Sequence, residues 1–261
     1  FKDINQANRN KEVYSMDLFK VLGGHADKLN ENGWSYVTQV MQNSTTKVGI
    51  YLLIFFLIFE IAKIFETANK NNEGTVVPIT MFQASVNALL AGALVAGSVF
   101  ILPFINEIVV GGINLIKDTG SYNIFAPASL QGVSWTDGIG KVISWLITYL
   151  VGAGASIIIV VVVSLRTFQL YVYTILAPIA FSSFASSEYR SIGVGFAKQY
   201  CAKALQGFVI LIILGLSNSF SAPDPKGAVA GGFVSLIQPI IVAVLILQSE
   251  KYAKSVVGLG G

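Results

Sequence analysis

The sequence predicts an all-α protein: a polytopic bundle of transmembrane helices with about five spans, some of its helices longer than a bilayer is thick. Three observations lead there. Of 261 residues, 54% are hydrophobic and only 12% charged, with mean hydropathy +0.67, whereas a soluble domain carries about 25% charged residues. The apolar runs are long. Ile79 to Ile116 as one helix would measure about 57 Å at 1.5 Å per residue, against about 30 Å of hydrocarbon. Finally, lysine and arginine gather at the ends of the runs and in the connectors between them. The net charge of +3 is too small to point to nucleic acid, and the single cysteine, Cys201, rules out an internal disulfide framework.

Taken in order, residues 1–47 form a polar N-terminal segment expected on the outer side. Within it Trp34, Val37, Val40 and Met41 recur at helical spacing, the apolar side of a short amphipathic helix. Residues 48–250 form the bundle. Its first span covers 48–64 and ends in Glu60 and Lys63, placed to pair on one helix face. The run from Ile79 reads as one span, 82–103, followed by an amphipathic extension that carries Asn106, Glu107 and Asn114. Gly92 and Ala96 offer a small-residue face for close helix contact. After a polar connector, 117–140, the run Val142–Leu176 contains no turn signal between Val160 and Leu170. It therefore reads as one long helix, embedded over 145–165, with Trp145 and Tyr149 suited to an interfacial belt. Spans at 204–217 and 233–247 follow, and residues 251–261 make a short cytoplasmic tail.

Arg166 directly follows Val160–Leu165. A guanidinium at the bilayer centre costs about 2.5–3.5 kcal/mol on insertion scales, so the sequence places it at a membrane face. Ala177-Pro178 is expected to break the helix, because proline lacks an N–H and crowds the preceding turn. Basic residues follow the first, third and fifth spans, which orients the chain with its N-terminus outside and its C-terminus in the cytoplasm. In that topology residues 166–207 form a cytoplasmic elbow on which Arg166, Arg190, Lys198 and Lys203 make a basic face. Gln206-Gly207 opens the next span and suits a hydrogen-bonded helix contact. Glu188 reads as a solvated loop residue, and Glu107 as an interfacial carboxylate.

Arg166-x-Phe-x-Leu-Tyr171, Ala177-Pro-Ile179, Phe184-Ala185, Ser191-Ile-Gly193, Phe196, Lys198 and Leu205-Gln-Gly207 stand in an order and spacing that resembles one family. They are similar to the central segment of TrbL-like inner-membrane subunits of conjugative type IV secretion systems, especially Gram-positive versions. The likeness covers about 45 residues. Many relatives read Ala-Pro-Ile-Pro where this chain has Ala177-Pro-Ile-Ala180. The resemblance implies a multi-pass protein of the bacterial cytoplasmic membrane that helps move DNA–protein substrate. It implies as partners a secretion ATPase, other inner-membrane subunits, further copies of the chain and membrane lipids, with transient contact to single-stranded DNA or a relaxase. The candidate assembly or substrate-path residues are then Arg166, Gln169, Tyr171, Pro178, Glu188, Arg190, Lys198, Lys203, Gln206 and Glu107.

Catalysis is not expected. The chain lacks a phosphate-binding loop, a nucleophile elbow and a zinc-hydrolase motif. His25 has no second histidine or thiolate cluster beside it, so neither a metal nor a cofactor is expected. Two other readings fit the composition. One is a small-solute or ion transporter built on discontinuous helices broken at Pro103 and Pro178; the other is a membrane anchor or toxin-immunity protein that transports nothing.

Overall fold

The computed structural model describes Leu22 and residues 30–71, 77–117, 139–219 and 228–259, and among these every regular element is helical. Helix α1 (Glu31–Val40) starts where the Asn30 side chain accepts the Gly33 N–H at 2.9 Å, an N-cap that satisfies one orphan donor. Val37 and Met41, from the predicted apolar side, are buried. A π-helical turn, Met41–Thr45, carries the chain directly into α2 (Thr46–Asn71). Then follow α3 (Val77–Lys117), α4 (Ile139–Ser182), α5 (Arg190–Ser219) and α6 (Ala228–Val256). The sequence-derived elements before residue 30, including His25, and the connectors 118–138 and 220–227 lie outside the described residues.

Among the described residues four helical segments, Glu31–Asn69, Pro78–Ile116, Trp145–Ala185 and Arg190–Ser217, are long and apolar enough to cross a membrane. The fifth expected span, 233–247, falls within α6. Helix α5 is the hub of the bundle: 61% of its apolar window is buried, against 11–22% for the other three. Outward-facing residues on those three are large and apolar, such as Phe82, Phe100, Leu150 and Ile157, as expected where lipid replaces water as the solvent.

A single seam organises the long helices. On α4 the buried residues Gly152, Ala155 and Ile159, then Val163, Arg166 and Leu170, then Thr174, Ala177 and Phe181, recur every 11 residues. On α3 the same period links Ala91, Val95 and Ser98 to Leu102, Asn106 and Val109. Eleven residues over three turns is close to the natural helix period, so the seam stays on one side of a nearly straight helix. Four polar residues occupy seam positions: Ser98 and Thr174, which donate to backbone carbonyls of their own helices, and Asn106 and Arg166.

The expected break at Pro178 is absent; α4 runs through it to Ser182. Proline removes only the bond from its own nitrogen to Thr174, and Ala177 and Phe181 keep the seam buried on either side. Pro178 instead makes a close crossing. A Cβ at Gly49 of α2 would lie 2.6 Å from the Pro178 carbonyl oxygen, so only glycine admits this contact. Helix α3 likewise passes through Pro103 unbroken. The chain turns at a 3₁₀ segment, Ser183–Ala185, and extended Ser186.

Contacts fix the heights of the helices. Gly49, at the start of the first expected span, touches Pro178, about 20 Å beyond the end of the expected span 145–165 at 1.5 Å per residue. Gly92 faces Leu53, while Tyr200 bonds to Leu102. Segments 48–64 and 82–103 therefore stand in an elbow tier beside 171–189, whereas 145–165, 204–217 and 233–247 form a second tier.

Candidate functional site

Where the two tiers meet, polar side chains from four helices enter the core. Arg166 is only 2% exposed. Its Nε donates to the Lys203 carbonyl at 3.0 Å and its Nη2 to the Ala204 carbonyl at 2.9 Å. Those oxygens belong to helix α5, but a carbonyl has two lone pairs and can accept a second donor. The guanidinium fits because residue 207 is glycine. A Cβ there would lie 2.5 Å from Cζ and 2.7–2.8 Å from the two terminal nitrogens.

Beside it, Lys203 is also buried (4% exposed) and its Nζ pairs with Glu250 of α6 at 2.5 Å, while Lys254 reaches the other Glu250 oxygen at 2.8 Å. Gln206 donates to Ser249 at 3.1 Å, and Tyr200 donates to the Leu102 carbonyl of α3 at 2.8 Å. Two acceptors in this layer, Asn106 Oδ1 and Gln206 Oε1, are buried without a hydrogen-bond partner among the described residues. Each such orphan costs about 1–3 kcal/mol. The layer is thus cationic and incompletely neutralised, and it ties α3, α4, α5 and α6 together at one height.

Glu250 is held below the usual carboxylate range: burial pushes it up, but hydrogen bonds from Lys203 and Lys254 outweigh that. Lys254 is raised in turn, chiefly by its hydrogen bond to Glu250.

The elbow is pinned from α2. Glu60, 8% exposed, accepts from Ser186 Oγ at 2.8 Å, Ser187 Oγ at 2.7 Å and the Ser187 N–H at 3.3 Å. Lys63 pairs with Glu188 at 3.2 Å, both half exposed. Glu60 and Lys63 each reach across to the elbow, the first to its serines and the second to its carboxylate, and Glu188 is the partner of a lysine from another helix. Phe56 and Phe59 pack on Tyr189, completing the clasp.

The predicted residues therefore divide. Arg166, Lys203 and Gln206 come together in the buried layer, so the first two do not belong to an exposed basic face; backbone carbonyls and Glu250 receive their charge inside the bundle. Arg190 and Lys198 are exposed, Arg190 lying 5.9 Å over the Phe184 ring. Tyr171 is half-buried against Trp34, ring centroids 6.2 Å apart, and Gln169 is half-buried. Glu107 is exposed at an apolar groove of about 610 Å³ whose walls include Trp34, Phe100 and Pro103. Residues absent from the prediction are Tyr200, Ser249 and Glu250 in the layer, and Ser186 and Ser187 in the clasp. Lys203 and Glu250 are far apart in sequence, and nothing local links them.

Among the described residues no three His, Cys, Asp or Glu side chains gather that could hold a metal ion. Cys201 is a half-buried free thiol. Comparison with protein-family models, curated proteins and solved structures finds no match.

Proposed function

We propose that this chain is an integral membrane channel or scaffold subunit of a type IV secretion machine, helping DNA–protein substrate across the bacterial cytoplasmic membrane. One observation carries the reading. The residues that resemble TrbL-like subunits are not scattered but build one packed unit, the α4–elbow–α5 hairpin. Arg166 sits in the slot at Gly207 and Gly193 lies against Phe184, while Phe196 packs on Tyr173 and Phe181 of the same hairpin. A motif whose members touch one another specifies a local architecture, which is what a family likeness over a short segment describes. The elbow tier, with Arg190, Lys198, Lys251 and Lys254 exposed or half-exposed, faces the cytoplasm in this reading and offers the docking side for a secretion ATPase.

The transporter reading requires helices broken at Pro103 and Pro178, and both helices continue through those prolines. Replacing Arg166 by alanine tests the secretion reading: transfer frequency is expected to fall more than protein abundance. Equal losses would reduce Arg166 to a folding role, and unchanged transfer in a strain lacking the wild-type chain would remove the proposal.

A further inference from the structure

Helix α2 packs along α3, where Leu53 faces Gly92, but α1 does not. On the far side of the π-helical turn the chain leans on α4 instead. The Trp34 and Tyr171 ring centroids are 6.2 Å apart, and a Cβ at Gly33 would meet the Tyr171 ring at 3.3 Å. A π-turn widens the helix and changes the direction in which the next turn faces, and such turns are frequent at functional sites. The departure of α1 from α3 leaves between them the groove of about 610 Å³. That volume lies within the roughly 300–1,000 Å³ of sites that hold small organic ligands.

The walls of the groove select a chemistry. Trp34 stands on the α1 side; Phe100, Pro103, Phe104 and Glu107 stand on the α3 side, at the three- and four-residue spacing of a single helix face. Both phenylalanines and Glu107 are exposed. Thr38 supplies the one hydroxyl among the described lining residues, and it is already committed to the carbonyls of Trp34 and Ser35. Glu107 is the one ionisable side chain among them. Aromatic faces attract cations through the ring quadrupole, and the carboxylate adds a full negative charge at the end of the same face. An anion would meet repulsion here. A zwitterionic head group would bring its phosphate to the same carboxylate, and a sugar or nucleotide would leave its many polar groups unmatched against apolar walls.

We infer that the α1–α3 groove binds an amphipathic organic cation, its apolar groups against Trp34, Phe100 and Phe104 and its positive charge held by Glu107. The inference needs only the groove, so it stands apart from the secretion reading.

The test uses full-length protein in phosphatidylcholine nanodiscs. Tetraphenylphosphonium is the probe, and tetraphenylborate, of nearly the same shape and opposite charge, is its counterpart; equilibrium dialysis counts binding above that of empty nanodiscs. The wild-type chain should take up tetraphenylphosphonium saturably and tetraphenylborate no more than empty nanodiscs do, a comparison that needs no variant to fold. An exposed ion pair contributes about five-fold (about 1 kcal/mol) at its upper end, so Glu107→Gln should weaken tetraphenylphosphonium binding about five-fold. Trp34→Leu, which keeps bulk and loses the ring, should weaken it about two- to five-fold. Glu31→Gln, at an exposed carboxylate of α1 outside the groove, should have no effect. Equal uptake of the two ions overturns the inference, and so does unchanged affinity in Glu107→Gln. Absence of saturable uptake by the wild-type chain overturns it too and leaves the groove to a polypeptide partner.

Discussion

Gly207→Ala should destabilise the bundle through Arg166, although alanine is the better helix former by about 0.8–1.0 kcal/mol. The new Cβ would stand 2.5 Å from the guanidinium carbon, about 1 Å inside ordinary contact, so the guanidinium must withdraw. Withdrawal by that distance breaks the 3.0 and 2.9 Å bonds to the Lys203 and Ala204 carbonyls. Hydrogen bonds from a charged donor contribute about 1.5–3 kcal/mol each, and stranding a buried charge costs about 3–5 kcal/mol. After the gain in helix propensity, a net loss of about 2–4 kcal/mol is expected. Unfolding in mixed micelles measures it, as a double-mutant cycle with Arg166→Ala. With the guanidinium gone, the slot is empty and Gly207→Ala should become stabilising by about 0.5–1 kcal/mol. Equal destabilisation in both backgrounds would refute the argument, because the glycine would then be needed for something other than the guanidinium.

Three further outcomes follow from the same contacts. Glu60→Gln replaces a carboxylate that accepts three hydrogen bonds from the elbow; a loss of about 1–3 kcal/mol is expected, with faster proteolysis between Ser183 and Tyr189. Glu250 has a lowered pKa, so its contribution is fully present above its ordinary value of 4.5 and fades as pH falls through the lower folded value. Lys254 has a raised pKa, so its contribution is present below 10.5 and fades above it; stability against pH should show a plateau between, and Glu250→Gln should flatten the acid limb. Gly49→Val places side-chain atoms against the Pro178 carbonyl and should separate α2 from α4, read as a loss of stability on unfolding in mixed micelles.

Much of the architecture was legible because it is local. Run length and the scarcity of charge gave helices longer than a bilayer, and the spacing of Trp34, Val37 and Met41 gave the buried side of α1. Gln206 does bond across to Ser249 of α6, but the glycine beside it makes room for the Arg166 side chain of α4 and not for a neighbouring backbone. Arg166 was placed at a surface because its cost was judged against lipid alone; the slot that accepts it lies on another helix. A signal was nevertheless present, for Arg166 stands 11 residues from both Ala155 and Ala177, in register with the seam. At Pro178 the sequence shows a missing N–H and a crowded preceding turn, but not the packing that carries α4 past it. The Glu60 clasp joins residues 126 positions apart, and the offset between tiers depends on such pairings, so neither could be read from a linear pattern.

The account depends most on the elbow tier facing the cytoplasm. With Cys201 replaced by alanine, single cysteines at Ser191, exposed at the elbow, and at Ser221, in the connector between α5 and α6, can be probed in intact cells with a membrane-impermeant maleimide. The cysteine at position 221 should label at once and the one at 191 only after the membrane is opened. Labelling of 191 in intact cells with protection of 221 would contradict the account.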